Sequence, residues 1–196
     1  MIGWRGASRY YSEDFEKAFE LECKAINYVR NKMNFTNVIV MIPFCRTPDE
    51  CKLVLDKMSS FGLERNPNRL ERGINGLEIY LMCEIPSNVL EADSFSKLVD
   101  GVSIGGNDLL QLTLGIDRDS NKITHLSNHT NESYRLLIKM AIETYKKNNV
   151  KVGFCGQQPS DSLDFCHFLI YSGIDSISVT PDSILKILNN LQKNKL

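Results

Sequence analysis

The stretch Leu77-Glu78-Ile79-Tyr80-Leu81-Met82-Cys83-Glu84-Ile85 carries two charged residues, Glu78 and Glu84, and runs straight into Pro86. It is short, rich in branched and aromatic side chains, and barely alternates. That pattern reads as a β-strand buried on both faces. Four more runs resemble it: 37–43 (NVIVMIP), 101–104 (GVSI), 150–155 (VKVGFC) and 175–179 (DSISV). Helical patterns lie between them. Phe15, Ala18, Phe19, Cys23 and Ile26 form one stripe, with Ser12 as the expected cap. Thr47-Pro48-Asp49-Glu50 reads as a capping box with proline at the first helical position. Tyr134, Leu137, Ile138, Ala141 and Tyr145 mark a third helix. Ser160 and Asp161 are expected to start a fourth, with Gly173 ending it. A last helix follows Pro181. Strands alternating with helices imply parallel βα units.

In such folds reactive residues collect just beyond the C-terminal ends of strands. The exits here read Phe44-Cys45-Arg46, then Glu84, then Gly105-Gly106-Asn107-Asp108, then Cys155-Gly156-Gln157. A carboxylate, an amide with a carboxylate, and a thiol fall at equivalent places on three successive units. Two converging carboxylates suit a hard divalent cation such as Mg²⁺. Gly105 and Gly106 let backbone approach a ligand closely. Cys155 precedes a helix start, where a thiolate is favoured. Taken singly, each has a plain structural reading: a surface charge, a turn pair, a core cysteine. Their common rim is what raises them to site candidates.

Composition narrows the classes. The 196 residues hold 23 Lys+Arg against 24 Asp+Glu, a net charge of -1 at pH 7, so no basic excess drives nucleic-acid binding. No apolar run approaches the ~18–20 residues of a membrane helix. The opening Met1-Ile2-Gly3-Trp4-Arg5-Gly6 lacks the apolar centre of a signal peptide. Neither a nucleic acid nor a membrane is expected as a partner, and the cytoplasm is the expected setting. Cys23, Cys45, Cys51, Cys83, Cys155 and Cys166 form no C-x-x-C pair, which argues against zinc and against a disulfide scaffold.

Six segments carry a resemblance: GWRGASRY (3–10), VMIPFCRTPDE (40–50), MCEIPSNV (82–89), SIGGNDLLQLTLGIDRDS (103–120), VGFCGQQPSD (152–161) and GIDSISVTPDS (173–183). In order, over nearly the whole chain, they resemble the C-terminal, phosphoenolpyruvate-binding domain of the phosphoenolpyruvate synthase (pyruvate, water dikinase) family. The resemblance implies an α/β fold, part of a (β/α)8 barrel of the phosphoenolpyruvate/pyruvate type with about five of its eight βα units. Residues 1–196 would be one incomplete phosphoenolpyruvate/pyruvate-binding domain, without an ATP-grasp or phosphohistidine domain and without the first part of the barrel. Full family enzymes convert ATP, pyruvate and water to phosphoenolpyruvate, AMP and phosphate.

By motif position, Glu84 and Asp108 would bind Mg²⁺. Asn107 would contact the substrate phosphate or the metal shell, beside Gly106. Arg5 and Arg118 would grip phosphoryl and carboxylate groups. Cys155 would exchange a proton with the methyl carbon. Three departures stand out: Gln158 replaces a family glycine, so that its side chain is expected to crowd the loop beside Cys155, Gly106 replaces a serine or threonine, and a loop further along differs. The stretch 126–131 (LSNHTN) departs from an acidic, arginine-containing family loop. Pyruvate or phosphoenolpyruvate is the expected ligand. The remaining synthase domains, a homologous chain or a second copy are the expected partners, because five strands leave two edges of a barrel open. The alternative reading is a catalytically incomplete module that binds phosphoenolpyruvate or serves assembly. A different carbon-bond enzyme on a related barrel fits the CGQ and GGND segments least well.

Overall fold

The computed structural model describes residues 2–65, 76–117 and 119–193. Arg118, one of the expected ligand-gripping residues, lies outside the described residues. Strands β1 (Val40–Ile42), β2 (Ile79–Cys83), β3 (Gly101–Gly105), β4 (Lys151–Cys155) and β5 (Ser176–Ile177) form one parallel sheet in that order. Each new strand adds to the same edge. With right-handed crossovers, sequential order keeps the connecting helices on one face. A doubly wound sheet would reverse its order partway. The sheet is therefore a segment of barrel wall with five βα units, as expected.

The helices are α1 (Ala7–Tyr10), α2 (Glu16–Asn31), α3 (Pro48–Ser60), α4 (Pro86–Leu90), α5 (Ala92–Phe95), α6 (Gly106–Leu114), α7 (Glu132–Lys147), α8 (Gln158–Asp161), α9 (Leu163–Tyr171) and α10 (Ile184–Lys193). Against them lie Leu81, Cys83, Val102, Ile104, Val152 and Phe154, all buried in one core with Tyr134, Ile138 and Tyr145 of α7. The alternate residues Tyr80, Met82, Ser103, Gly153 and Cys155 are only half-buried. This corrects the expectation of burial on both faces. Tyr80 and Met82 are apolar but occupy the open face, which hides the alternation. Small residues on β3 and β4 make room there: a Cβ on Gly101 would sit 2.3 Å from the Tyr80 ring.

The edge strands are shorter than the sequence suggests. Arg30, buried at the end of α2, donates to the carbonyls of Thr36, Val38 and Gly76, so residues 37–39 approach β1 as a clamped loop. At the other edge the Asp175 carboxylate accepts the Val152 N–H at 2.8 Å, while the Asp175 N–H donates to Val152 O at 2.9 Å. Cap assignments also differ in part. Thr47 Oγ1 accepts from Glu50 N at 3.1 Å, as expected. The Glu50 carboxylate, however, accepts from Tyr11 and from Arg46 rather than closing a capping box. Ser12 lies in a turn, and α2 starts from Phe15. Ser160 and Asp161 belong to α8, whereas Ser162 caps α9 by accepting from Phe165 N at 3.2 Å.

Candidate functional site

The exits of β2, β3 and β4 meet at one rim, and each is fixed by identifiable contacts. At β2, Asn88 is fully buried and works as a clamp. Its Oδ1 accepts from Glu84 N at 3.2 Å and Ile85 N at 3.0 Å, and its Nδ2 donates to Cys45 O at 2.7 Å. Tyr145 Oη donates to the Asn88 carbonyl at 2.8 Å. The turn carrying Glu84 is thereby tied to the β1 exit and to α7.

At β1, Phe44 adopts a left-handed backbone, φ 43°. Its N–H points to Glu84 Oε1 at 2.8 Å. The opening segment crosses directly above. Gly6, φ 60°, passes so close that a Cβ there would meet Phe44 Cβ at 2.4 Å. Only glycine fits this approach, and Ala7 N then donates to Pro43 O at 3.0 Å. Arg46 straps the same segment down by donating to the carbonyls of Gly3 and Arg5. Arg5 thus reaches the rim: its guanidinium lies 4.3 Å from the Phe44 ring centroid and 3.8 Å from the Asp108 carboxylate. A cleft of about 400 Å³ opens here, lined by Arg5, Arg9, Tyr10, Phe44 and Glu84 among others. A larger cleft, about 550 Å³, lies at the opposite end of β2 beside Met58, Ile79 and Leu98, away from the strand exits.

At β3, Asp108 stands in the first turn of α6. Gly105 leaves the space Glu84 occupies, since a Cβ would lie 2.9 Å from Glu84 Oε2. Burial raises the Glu84 carboxyl above its ordinary value; the Phe44 N–H opposes this, Asp108 adds to it and Arg5 opposes it. At β4, burial likewise raises the Cys155 thiol. A hydrogen bond from Ser103 offsets part of that, and the charges of Glu84 and Asp108 add to it. This corrects the expectation of a thiolate favoured by a helix start. Helix α8 has four residues, and burial is the largest influence on the thiol.

The structure therefore gathers Arg5, Glu84, Gly106, Asn107, Asp108 and Cys155. The sequence marks Phe44 and Arg46 only as the β1 exit, and it assigns no site role to Asn88 or Ser103. For Ser103 a signal existed, because residues 101, 103 and 105 share the face of Cys155. Gln158, expected to crowd the loop, instead donates to Asn107 Oδ1 at 3.1 Å. Gln158 Oε1 and Tyr134 Oη are buried without hydrogen-bond partners, at a typical cost of about 1–3 kcal/mol each.

Two hard carboxylates, Glu84 and Asp108, at one rim are a donor set that fits Mg²⁺. Among the described residues no cluster of three His, Cys, Asp or Glu side chains could hold a metal. The remaining positions on such an ion would fall to water and ligand oxygens.

The chain has clear relatives among known proteins. The family described as PEP-utilising enzyme, PEP-binding domain, matches residues 1–196. The chain is 56% identical to a phosphoenolpyruvate synthase of Synechocystis over 95% of its own length and 22% of that protein. It is 55% identical to the Aquifex aeolicus phosphoenolpyruvate synthase over 96% of the chain and 21% of that protein. For the Escherichia coli phosphoenolpyruvate synthase the identity is 47%, over 100% of the chain and 24% of that protein. The chain thus spans less than a quarter of these relatives. A crystal structure of a HpcH/Hpal aldolase/citrate lyase family protein from Burkholderia cenocepacia shares the fold, with a TM-score of 0.52, 16% identity, and coverage of 81% of this chain and 65% of that one. Among the described residues no helix is long and apolar enough to cross a membrane.

Proposed function

The chain belongs to the PEP-binding domain family of PEP-utilising enzymes, and from that premise we propose that it binds Mg²⁺ with pyruvate or phosphoenolpyruvate for enolisation and phosphoryl transfer. The observation that carries this reading is the convergence of Glu84, Asp108 and Cys155 at the exits of β2, β3 and β4, with the Arg5 guanidinium brought to the same rim.

Glu84 and Asp108 would hold Mg²⁺, which when bound supplies electrostatic stabilisation of the negative charge that develops on an enolate oxygen. Arg5 offers a planar fork for a carboxylate or phosphoryl group. Its stacking on Phe44 and its carbonyl contacts with Arg46 restrict it before ligand arrives. Cys155 rests as the neutral thiol, because its raised value keeps the proton on sulfur at neutral pH. In that form it is a proton donor. As pyruvate forms from the enolate, the Sγ–H bond breaks and a C–H bond forms at the methylene carbon, leaving a thiolate that the Ser103 hydroxyl supports. The reverse step takes a methyl proton from pyruvate onto sulfur. In a complete synthase the enolate oxygen would then receive the phosphoryl group.

Deuterium exchange of the pyruvate methyl group in the presence of Mg²⁺ tests the reading. The chain is measured alone and mixed with the unmatched portion of a relative. Exchange that disappears in Cys155→Ala is expected. No exchange in either mixture contradicts the enzymatic reading; if phosphoenolpyruvate still binds, that outcome favours the binding module.

A further inference from the structure

Gln158 reaches from the β4 exit to the β3 exit across two glycines. A Cβ on Gly156 would lie 2.4 Å from Gln158 Oε1, and one on Gly106 would lie 2.9 Å from it. The same point above Gly106 lies 2.8 Å from Tyr134 Oη. The amide is threaded through a space that exists because positions 106 and 156 have no side chains. It leaves its own Oε1 and the tyrosine hydroxyl unpaired. Packing alone does not account for this. An apolar side chain of equal length would fill the space without burying an unpaired amide oxygen. The hydrogen bond this side chain makes across the rim is to Asn107, from Nε2 to Oδ1 at 3.1 Å.

A primary amide's oxygen accepts through two lone pairs and its nitrogen only donates. Gln158 occupies one acceptor position of Asn107 Oδ1 and so fixes the orientation of the amide, whose other end, Nδ2, is a donor. A donor suits an anionic oxygen and cannot ligate a cation. We propose that Gln158 is a positioning residue: by holding Oδ1 it orients Asn107 so that Nδ2 donates to the phosphoryl or carboxylate oxygens of the ligand. This inference rests on the function proposed above and chooses between the two roles open to Asn107.

The test is a double-mutant cycle on the full chain, read by calorimetry with phosphoenolpyruvate and Mg²⁺, with thermal unfolding as a check on each variant. Q158M keeps the length and removes the donor. It is expected to weaken binding about tenfold, the effect of one lost polar contact to a charged group. In N107A, adding Q158M is expected to change nothing further, because Gln158 acts through Asn107. Unchanged affinity in Q158M, or losses that multiply in the double variant, would overturn the proposal. If Q158M does not fold, Q158E, which keeps the shape and can only accept, carries the same expectation. If the unmodified chain binds no phosphoenolpyruvate, the functional reading fails separately, and side-chain amide NMR decides the pair. An Overhauser contact between the Gln158 and Asn107 amides, lost in the variant, supports the positioning contact; its absence overturns it.

Discussion

Phe44 gives its backbone N–H to Glu84 Oε1 at 2.8 Å, and gives it from a left-handed backbone, φ 43°. A bulky residue in that region is strained by about 1–3 kcal/mol. The ring repays this locally: it is 5% exposed and lies beneath Arg5 and Arg46. Removing the ring as Phe44→Ala is expected to cost about 3–4 kcal/mol. Phe44→Gly relieves the backbone and should be about 1 kcal/mol more stable than Phe44→Ala. Urea unfolding of the two variants checks the order, and an alanine variant as stable as the glycine one would contradict it.

Asn88 holds the turn that presents Glu84. Asn88→Ala leaves the N–H groups of Glu84 and Ile85 and the carbonyl of Cys45 without their partner. Buried polar groups left unpaired put the expected loss at about 3 kcal/mol. A measured loss below about 1 kcal/mol would mean that water replaces the clamp.

Cys155 is expected to react with iodoacetamide along a pH profile whose midpoint lies above that of an ordinary thiol, about 8.5. Burial raises the thiol first, and the two carboxylates add to it. Because Ser103 pulls the other way, Ser103→Ala should move the midpoint higher still. Cys155→Ala supplies the background from the five buried cysteines. A midpoint at or below the ordinary value would remove the case for a resting proton donor.

Asp175 ties β5 to β4 and carries a pH signature. Burial would raise its carboxyl, but hydrogen bonds from Lys146 and Val152 and the Lys146 and Lys151 charges outweigh it and hold it low. A depressed folded value means stability that is present above the unfolded carboxyl value, about 3.9, and is lost as pH falls through the lower folded value. Asp175→Asn should therefore be less stable near pH 7 and converge with the original chain below about pH 4. The pair is partly solvated, so the difference should stay within about 1 kcal/mol and shrink with salt. A gap that persists in acid would place the effect in packing.

The strand exits were legible in sequence because one topological rule places Glu84, Asn107, Asp108 and Cys155 on one rim. Arg5 was legible only through resemblance, since GWRG precedes any strand. What stayed hidden depends on tertiary partners. Asn88 looks like an ordinary turn residue until its three bonds are seen. Phe44 shows no left-handed tendency in its sequence. The first edge strand looked longer than it is because Arg30 takes the carbonyls of Thr36 and Val38. Gln158 looked like an obstruction, and its contact with Asn107 needed both loops in place.

Calorimetric titration of phosphoenolpyruvate into the chain, with and without Mg²⁺, asks whether the rim is a metal-dependent ligand site. Binding is expected to require Mg²⁺ and to be lost in the double variant Glu84→Gln/Asp108→Asn while its thermal unfolding shows that the fold survives. Binding that ignores Mg²⁺, or that survives the double substitution, would contradict it.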